Sequence, residues 1–259
     1  MAPKHRLNVL PKFLPLFFSL LPFLFAGQAF SEEGLSAQEI VERMEVLMRG
    51  KTSQGSLVME ITTPNWQRRL TLKFWMSGKD KALVKILSPA KEAGIATLRL
   101  GSNMWNYLPR VERTVKMPLS MMMQPWMGSD FTNDDMMKAT SFVDDYQHRL
   151  VNREKEGEKE LWVVESVPKP GVAVVWGKII LKIGDDYLPR REEFYDEKGR
   201  VVKLLEFSDL QILGGRKFPT RWKMTTLNKK GCSTTLSYQK IEFDLPIPEE
   251  TFSLQSLKR

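Results

Sequence analysis

The chain has 259 residues, 42% of them hydrophobic, with a formal net charge of +8 and a single cysteine, Cys232. That length and apolar content allow one sizeable core in one domain, and the lone cysteine excludes an intramolecular disulfide, so packing alone must hold the fold together.

At the amino end Lys4, Arg6 and Lys12 precede an apolar run from Phe13 to Phe25, closed by Gly27-Gln28-Ala29. This pattern predicts a secretory signal over residues 1–29, cleaved near Ala29, and an exported mature domain over residues 30–259. Pro15 and Pro22 interrupt a run too short to span a bilayer comfortably, and no cysteine follows it to carry a lipid. Loss of the signal removes three basic residues. The remaining basic excess fits a solvated face or transient contact with anionic lipid head groups, and no nucleic-acid partner is expected of an exported protein.

Ser36-Ala37-Gln38-Glu39 forms a capping box, and Ile40, Val41, Met44, Leu47 and Met48 then recur at helical spacing up to Gly50. From there the apolar period becomes two. Leu57, Met59 and Ile61 alternate with polar neighbours, as do Leu70, Leu72, Phe74 and Met76 after the turn at Pro64-Asn65, which predicts antiparallel strands with one buried face. Gly78-Lys79-Asp80 marks the next turn, and further strands are expected at 81–88, 94–100, 103–108 and 111–117.

Seven of the fourteen methionines fall between Met117 and Met137, beside Trp105, Tyr107, Trp126 and Phe131. Methionine re-packs around irregular apolar partners. Composition alone leaves two readings open, the protein's own core or a yielding wall for an apolar ligand. A short helix follows, with Ser129 or Asp130 as its cap and Asp134 and Asp135 in its first turns. Strand patterns resume at 142–152, 159–167, 175–184, 188–196, 200–208, 217–228 and 233–243, with joints at Asp196-Glu197-Lys198-Gly199 and Gly214-Gly215. On the strand near 180, Ile179, Leu181 and Ile183 point inward and Lys178 and Lys182 outward. Roughly eleven strands with an early and a middle helix predict a mainly β fold: one curled antiparallel sheet, an open half-barrel whose concave face the helices cover.

Catalytic inventory is poor. His148 is the one histidine beyond the signal, so there is no histidine pair for a metal and no second base for a relay. Cys232 lacks a partner thiol. Asp130, Thr132 and Asp134 imitate the start of a calcium loop, but Asp135 replaces its glycine and Ser141 its final glutamate. Asp144-Asp145 and Asp185-Asp186 fit solvated turns. No enzyme activity, metal or cofactor is expected, and a hydrolase is the competing class.

The series Trp105-Asn106-Tyr107-Leu108-Pro109, then Arg113, then Met127-Gly128-Ser129-Asp130-Phe131-Thr132-Asn133-Asp134-Asp135, resembles bacterial outer-membrane lipoprotein-sorting proteins, relatives of the carrier LolA and its receptor LolB. Phe218-Pro219-Thr220-Arg221-Trp222-Lys223-Met224, Phe243-Asp244-Leu245-Pro246-Ile247-Pro248 and Phe252 extend the likeness across the mature chain. The resemblance implies a LolA-like half-barrel around a cavity for the acyl chains of a lipid or lipoprotein. It also implies traffic towards the outer membrane and, by analogy with members of this branch, an inner-membrane transporter of the resistance-nodulation-division or another type as partner. The true carrier's lid arginine has no clear match; Arg110 and Arg113 are candidates by position. A periplasmic interaction or sensor module docked on a membrane protein is the alternative.

Together the export signal, the curled sheet, the poor inventory and the Gly128–Phe131 block favour a cavity lid. The residues expected at cavity or lid are Leu72, Phe74, Trp105, Tyr107, Met117, Met121, Met122, Met123, Trp126, Met127 and Phe131. Met117 to Met127 is the expected mobile part, and Gly128 to Asp135 the rigid joint.

Overall fold

A computed structural model describes residues 35–133, 135, 142–172 and 176–258. The expected signal over residues 1–29 lies outside the described residues. Helix α1, Ala37–Arg49, begins at a complete capping box: the Glu39 N–H donates to Ser36 Oγ at 3.2 Å, and the Ser36 N–H donates to the Glu39 carboxylate at 2.8 Å. Gly50 ends the helix at φ +64°. Arg216 then donates to the carbonyls of Val46 and Leu47, at 3.2 and 3.3 Å, and to Asp244 at 2.6 Å, which neutralises the carboxyl end of the helix dipole. The helix buries Ala37, Ile40, Val41 and Met44.

Among the described residues thirteen strands form one antiparallel sheet. In chain order they are β1 Thr52–Thr62, β2 Gln67–Ser77, β3 Lys81–Ser88, β4 Ala96–Leu100, β5 Asn103–Leu108, β6 Arg113–Lys116, β7 Tyr146–Glu156, β8 Lys159–Pro168, β9 Lys178–Gly184, β10 Pro189–Tyr195, β11 Val201–Leu213, β12 Arg216–Thr226 and β13 Ser233–Phe243. Their spatial order is β6-β5-β4-β3-β2-β1-β13-β12-β11-β10-β9-β8-β7. Every neighbour but one is also a sequence neighbour, and the pairing of β1 with β13 joins the two meanders. That junction contains a bulge at Ser56/Leu57, beside Gly55, where an added Cβ would lie 2.0 Å from the Lys240 carbonyl oxygen. The sheet is not closed, which makes it a LolA-like open half-barrel. Its free edges, β6 and β7, are consecutive in sequence, so the Met-rich stretch is the connection between the two edges.

Period two sorts the side chains by face. The main core cluster combines α1 with Leu57, Met59, Ile61, Leu70, Leu72 and Phe74 and with inward residues of β9 to β13. A second cluster on the opposite face joins Leu83, Ala96 and Leu98 to Phe252 and Leu257, which lie on the short 3-10 turns Glu249–Phe252 and Ser256–Lys258. Lys81 to Glu249 at 2.6 Å and Lys85 to the Ser256 carbonyl at 2.7 Å fix these turns to the sheet.

Three local expectations change. The strand count is thirteen, as many as the segments marked by alternation and more than the roughly eleven expected of the sheet. The segment expected as a strand from 142 opens instead with one helical turn, α2 Phe142–Asp145, and β7 starts at Tyr146. Neither Ser129 nor Asp130 caps the middle helix: Thr132 and Asp135 exchange capping bonds of 2.7 and 3.0 Å, while Ser129 Oγ is spent on the carbonyls of Trp126 and Phe131 and the Asp130 carboxylate on two threonines. Asn133 and Asp135 are helical, and residues 134 and 136–141 lie outside the described residues. Of the acids read as solvated, Asp144 pairs with Lys79 at 2.6 Å and Asp186 pairs with both Arg190 and Lys217.

Candidate functional site: an apolar cavity under the first helix

Between α1 and the concave face of β9 to β13 lies a cavity of about 180 Å³. Its wall is mostly apolar. Met44 and Met48 come from α1, Phe74 and Met76 from β2, Leu205 and Phe207 from β11, and Phe218, Trp222 and Met224 from β12. Trp176, Ile179, Phe194, Tyr238 and Ile241 complete that lining, with Phe142 and Tyr146 nearby on α2 and β7. The volume holds roughly a dozen water-sized groups, the scale of one acyl chain.

Aromatic rings brace the wall against one another. Phe218 meets Tyr238 edge-on at 5.1 Å and Trp222 at 6.0 Å, and Trp176 meets Phe194 at 5.2 Å. Such pairs fix ring orientation more firmly than aliphatic contacts do. The cavity face is therefore stiff on the strand side, while Met44, Met48 and Met76 supply adaptable surface.

Four charged side chains enter this apolar space: Glu45 and Arg49 from α1, Asp135 from the helix start and Glu192 from β10. Burial, reinforced by the neighbouring charges of Glu45 and Asp135, pushes the Glu192 carboxyl up to about 8. Burial also raises Glu45 to about 7, against the lowering effect of Arg49 and Lys79. Desolvation lowers the Arg49 guanidinium, and it raises the Tyr238 phenol. Asp135 is held by Lys203 at 2.9 Å.

The eleven expected residues separate into distinct places. Phe74 and Phe131 line the cavity. Leu72 is buried in the core next to it. Trp105 and Tyr107 pack in the second cluster on the other side of the sheet, because the alternation of β5 turns Met104 inward and its odd-numbered neighbours outward. Trp126 is only 2% exposed, and its indole N–H donates to Thr97 Oγ1 at 3.1 Å, so it is a core plug and not a rim residue. The methionines divide: Met122 is 7% exposed and in the main core, Met117 and Met127 pack against that core, and Met121 and Met123 are 42% and 48% exposed.

The block from Trp126 to Asp135 is tied across one end of the sheet. Arg68 donates to the Met127 carbonyl. The Asp130 carboxylate accepts from Thr226 Oγ1 at 2.7 Å and Thr234 Oγ1 at 2.8 Å, and Lys203 donates to the Asp130 carbonyl at 2.7 Å. These partners sit on β2, β11, β12 and β13 at matching levels: Arg68 opposes Ile61, Ile61 opposes Thr234, and Thr226 opposes Lys203. Asn133 links the block to the methionines, donating from Nδ2 to the Met121 carbonyl at 3.0 Å and from its backbone N–H to the Gln124 carbonyl at 3.0 Å.

A protein-family model described as "uncharacterized protein" matches residues 78–259, more than half of the chain. The chain belongs to that family. No curated protein matches the sequence. Solved structures do match its fold. A DUF1329 family protein from Desulfovibrio piger has a TM-score of 0.78 at 23% identity over 85% of this chain and 97% of that one. A LolA superfamily protein from Nitrosomonas europaea follows at 0.74 and 22% identity, over 86% of this chain and 100% of its own. A domain from Vibrio parahaemolyticus described as outer membrane lipoprotein-sorting has a TM-score of 0.75 at 23% identity, covering 86% of this chain and 98% of that one. The fold is LolA-like, in keeping with the resemblance at residues 105–135 and 218–252.

His148 takes no part in the cavity. Its Nδ1 lies 2.8 Å from Ser166 Oγ, and burial lowers its pKa, which favours the neutral ring. Pattern reading missed most of the wall: Glu45, Arg49, Trp176, Glu192, Trp222 and Tyr238. One signal was available. In Arg191-Glu192-Glu193-Phe194 the alternation puts Glu192 in phase with Phe194, an acid at an inward position.

Proposed function

We propose that the protein is a non-enzymatic periplasmic carrier that takes an acyl chain of a lipid or lipoprotein into the cavity under α1 and moves it towards the outer membrane. The observation that carries this reading is the cavity itself, an apolar space of one-chain size on the concave face of an unclosed sheet. Burying a chain there stabilises the complex by about 0.8 kcal/mol per methylene, so affinity is available and release is what must be arranged. The likeness to a structure described as lipoprotein-sorting supports the reading, and cleavage of residues 1–29 would place the domain in the periplasm.

Loading needs an opening, and the geometry favours a division of labour. The Trp126–Asp135 block is bonded to four strands and serves as a fixed strap. The lid function belongs to α1 and to the Met117–Met123 part of the connection, whose methionines can refill vacated space. Exposed Leu108 at the end of β5, Val111 in the turn before the edge strand, Val115 on that strand, and Met121 and Met123 in the connection after it support transient contact with a membrane or a membrane transporter.

The test is an organic extract of the purified mature protein analysed by mass spectrometry, with uptake of a fluorescent fatty acyl probe. Retained lipid and saturable uptake are expected, and Met48→Trp, which fills the cavity from α1, should reduce both without loss of folded structure. A clean extract together with no uptake by well-folded protein would refute the carrier reading.

A further inference from the structure

The two free edges of the sheet differ in chemistry. Along β7 the charges are paired: Arg149 with Glu165 at 2.7 Å, Arg153 with Glu160 at 3.8 Å and Glu154 with Lys182 at 2.6 Å, and of its apolar side chains only Val151 is exposed. The hairpin that carries β6 is built otherwise. From Leu108 to Lys116 it presents Arg110, Arg113 and Lys116, all exposed, against the single acid Glu112, and among the described residues none of the three cations has an ion-pair partner. Between them stand Leu108, Val111 and Val115, exposed by 40%, 58% and 43%.

Charge on an exposed edge ordinarily guards it against pairing with another strand. That role accounts for Arg113 and Lys116 but not for Val111 and Val115, which make an edge stickier. Adjoining elements leave the basic excess in place. The β3–β4 turn packs beside the hairpin, where a Cβ added at Gly94 would lie 3.3 Å from Pro109, and its Lys91 and Glu92 balance each other. On the outer face Glu249 and Glu250 of the C-terminal turns are matched by Lys81, 2.6 Å from Glu249, and by Lys258. Asp80, in the turn before β3, is outnumbered by Lys73 and Lys85, which lie 4.9 and 6.0 Å from the centre of the Trp75 ring. Lys116 lies 5.7 Å from the centre of Trp105. Unpaired cations interleaved with exposed branched side chains, beside rings of the kind that favour a membrane–water boundary, complement a surface that is anionic outside and apolar beneath. A protein that added a strand here would gain little, because β6 has four residues and only alternate ones turn backbone groups outward.

We propose that the hairpin Leu108–Lys116 is a docking surface for an anionic phospholipid bilayer: Arg110, Arg113 and Lys116 meet lipid phosphates while Leu108, Val111 and Val115 enter the head-group layer. The use of this contact in transport rests on the carrier reading above; the docking itself does not. Leu108, Arg113 and Val115 project to one side of the hairpin and Lys116 to the other, so the contact is edge-on. The outward backbone groups of β6 then stay in the hydrated head-group layer, where water satisfies them, and docking is shallow and reversible. Exposed Met121 and Met123 follow in the connection, so docking brings the lid methionines to the lipid surface.

The experiment is co-sedimentation of the full mature protein with large vesicles of pure phosphatidylcholine and of phosphatidylcholine mixed with phosphatidylglycerol. Binding to the mixed vesicles is expected to be at least about tenfold tighter than to the neutral ones and to weaken as salt is added. Each cation removed should weaken it about fivefold, so Arg110→Gln, Arg113→Gln and Lys116→Gln together should cost on the order of a hundredfold. Val111→Ser with Val115→Ser should cost at least about fivefold. Arg221→Gln with Lys223→Gln, exposed positions on the outer face of β12, should stay within about twofold of wild type, which separates a local surface from overall charge. All these side chains are exposed, so folded structure should persist by circular dichroism; should the triple variant fail to fold, Arg113→Gln alone carries the fivefold expectation. Equal binding to both kinds of vesicle, undiminished binding by the triple variant, or an equal loss in the β12 variant overturns the docking surface. So does absence of vesicle binding with cross-linking from position 111 to a membrane transporter, which makes the partner a protein. Uptake of the fluorescent acyl probe in vesicle-free solution separates the two readings: uptake without vesicle binding overturns the docking surface and leaves the carrier reading intact, and vesicle binding with neither uptake nor retained lipid refutes the carrier reading and supports the docking surface.

Discussion

Replacing Glu192 by glutamine should make the protein more stable, and increasingly so as pH rises. In the unfolded chain this carboxyl ionises near its ordinary value of 4.5, whereas in the fold burial holds it up to about 8. Between those limits the folded state binds more protons than the unfolded state, so stability is fully present below about pH 4.5 and is lost as pH rises through 8. At roughly 1.4 kcal/mol for each tenfold change in proton affinity, the loss is about 3 kcal/mol at pH 7 and on the order of 4 to 5 kcal/mol at pH 9. Glutamine keeps the shape of the neutral acid and cannot ionise. Urea denaturation at pH 5, 7 and 9 would follow the difference: the variant and the wild type should agree within about 1 kcal/mol at pH 5 and separate by the amounts above at higher pH. Equal stability curves for the two proteins at all three values would show that burial does not hold the Glu192 carboxyl in its neutral form.

Asp130→Ala removes the acceptor of two threonine hydroxyls and should cost about 3 kcal/mol in urea denaturation, since hydrogen bonds to a buried charge are the stronger kind. Gly128→Ala should cost roughly 1 kcal/mol: the position has φ +76°, and the nearest atom to an added Cβ is Arg68 Nη2 at 3.5 Å, so the penalty is conformational and not steric. Trp126→Ala should cost on the order of 3 to 5 kcal/mol, with a fall in melting temperature far larger than that of an exposed Met123→Ala change. Gly55→Ala should part β1 from β13 and lose roughly 3 kcal/mol or more, because the added Cβ meets a backbone carbonyl that cannot turn away.

Much of the architecture was legible locally. The Ser36–Glu39 box specified the start of α1 because both of its hydrogen bonds lie within four residues. Alternation at Leu70, Leu72 and Phe74, or at Ile179, Leu181 and Ile183, assigned the inward face because a strand has only two faces and water rejects one of them. Where local signals competed, reading was less secure. At the middle helix Ser129, Asp130 and Thr132 are all plausible caps, and the selection of Thr132 depended on Thr226 and Thr234, about a hundred positions away, claiming the Asp130 carboxylate.

The site shows the same division more sharply. The sequence by itself determined that the protein has one curled sheet, that a Met-rich segment interrupts it, and that catalytic side chains are scarce, since each of these is written in spacing or composition. Only the tertiary structure decided that this segment joins the two free edges of the sheet, because edges are defined by the pairing of β1 with β13. It also decided that Trp105 and Tyr107 face away from the cavity while Trp176, Trp222 and Tyr238 face into it. Glu45 and Glu192 are 147 positions apart, and neither is unusual within its own element. They come to line one cavity when the fold brings β10 under α1, and the energy of a buried charge depends on what surrounds it in space.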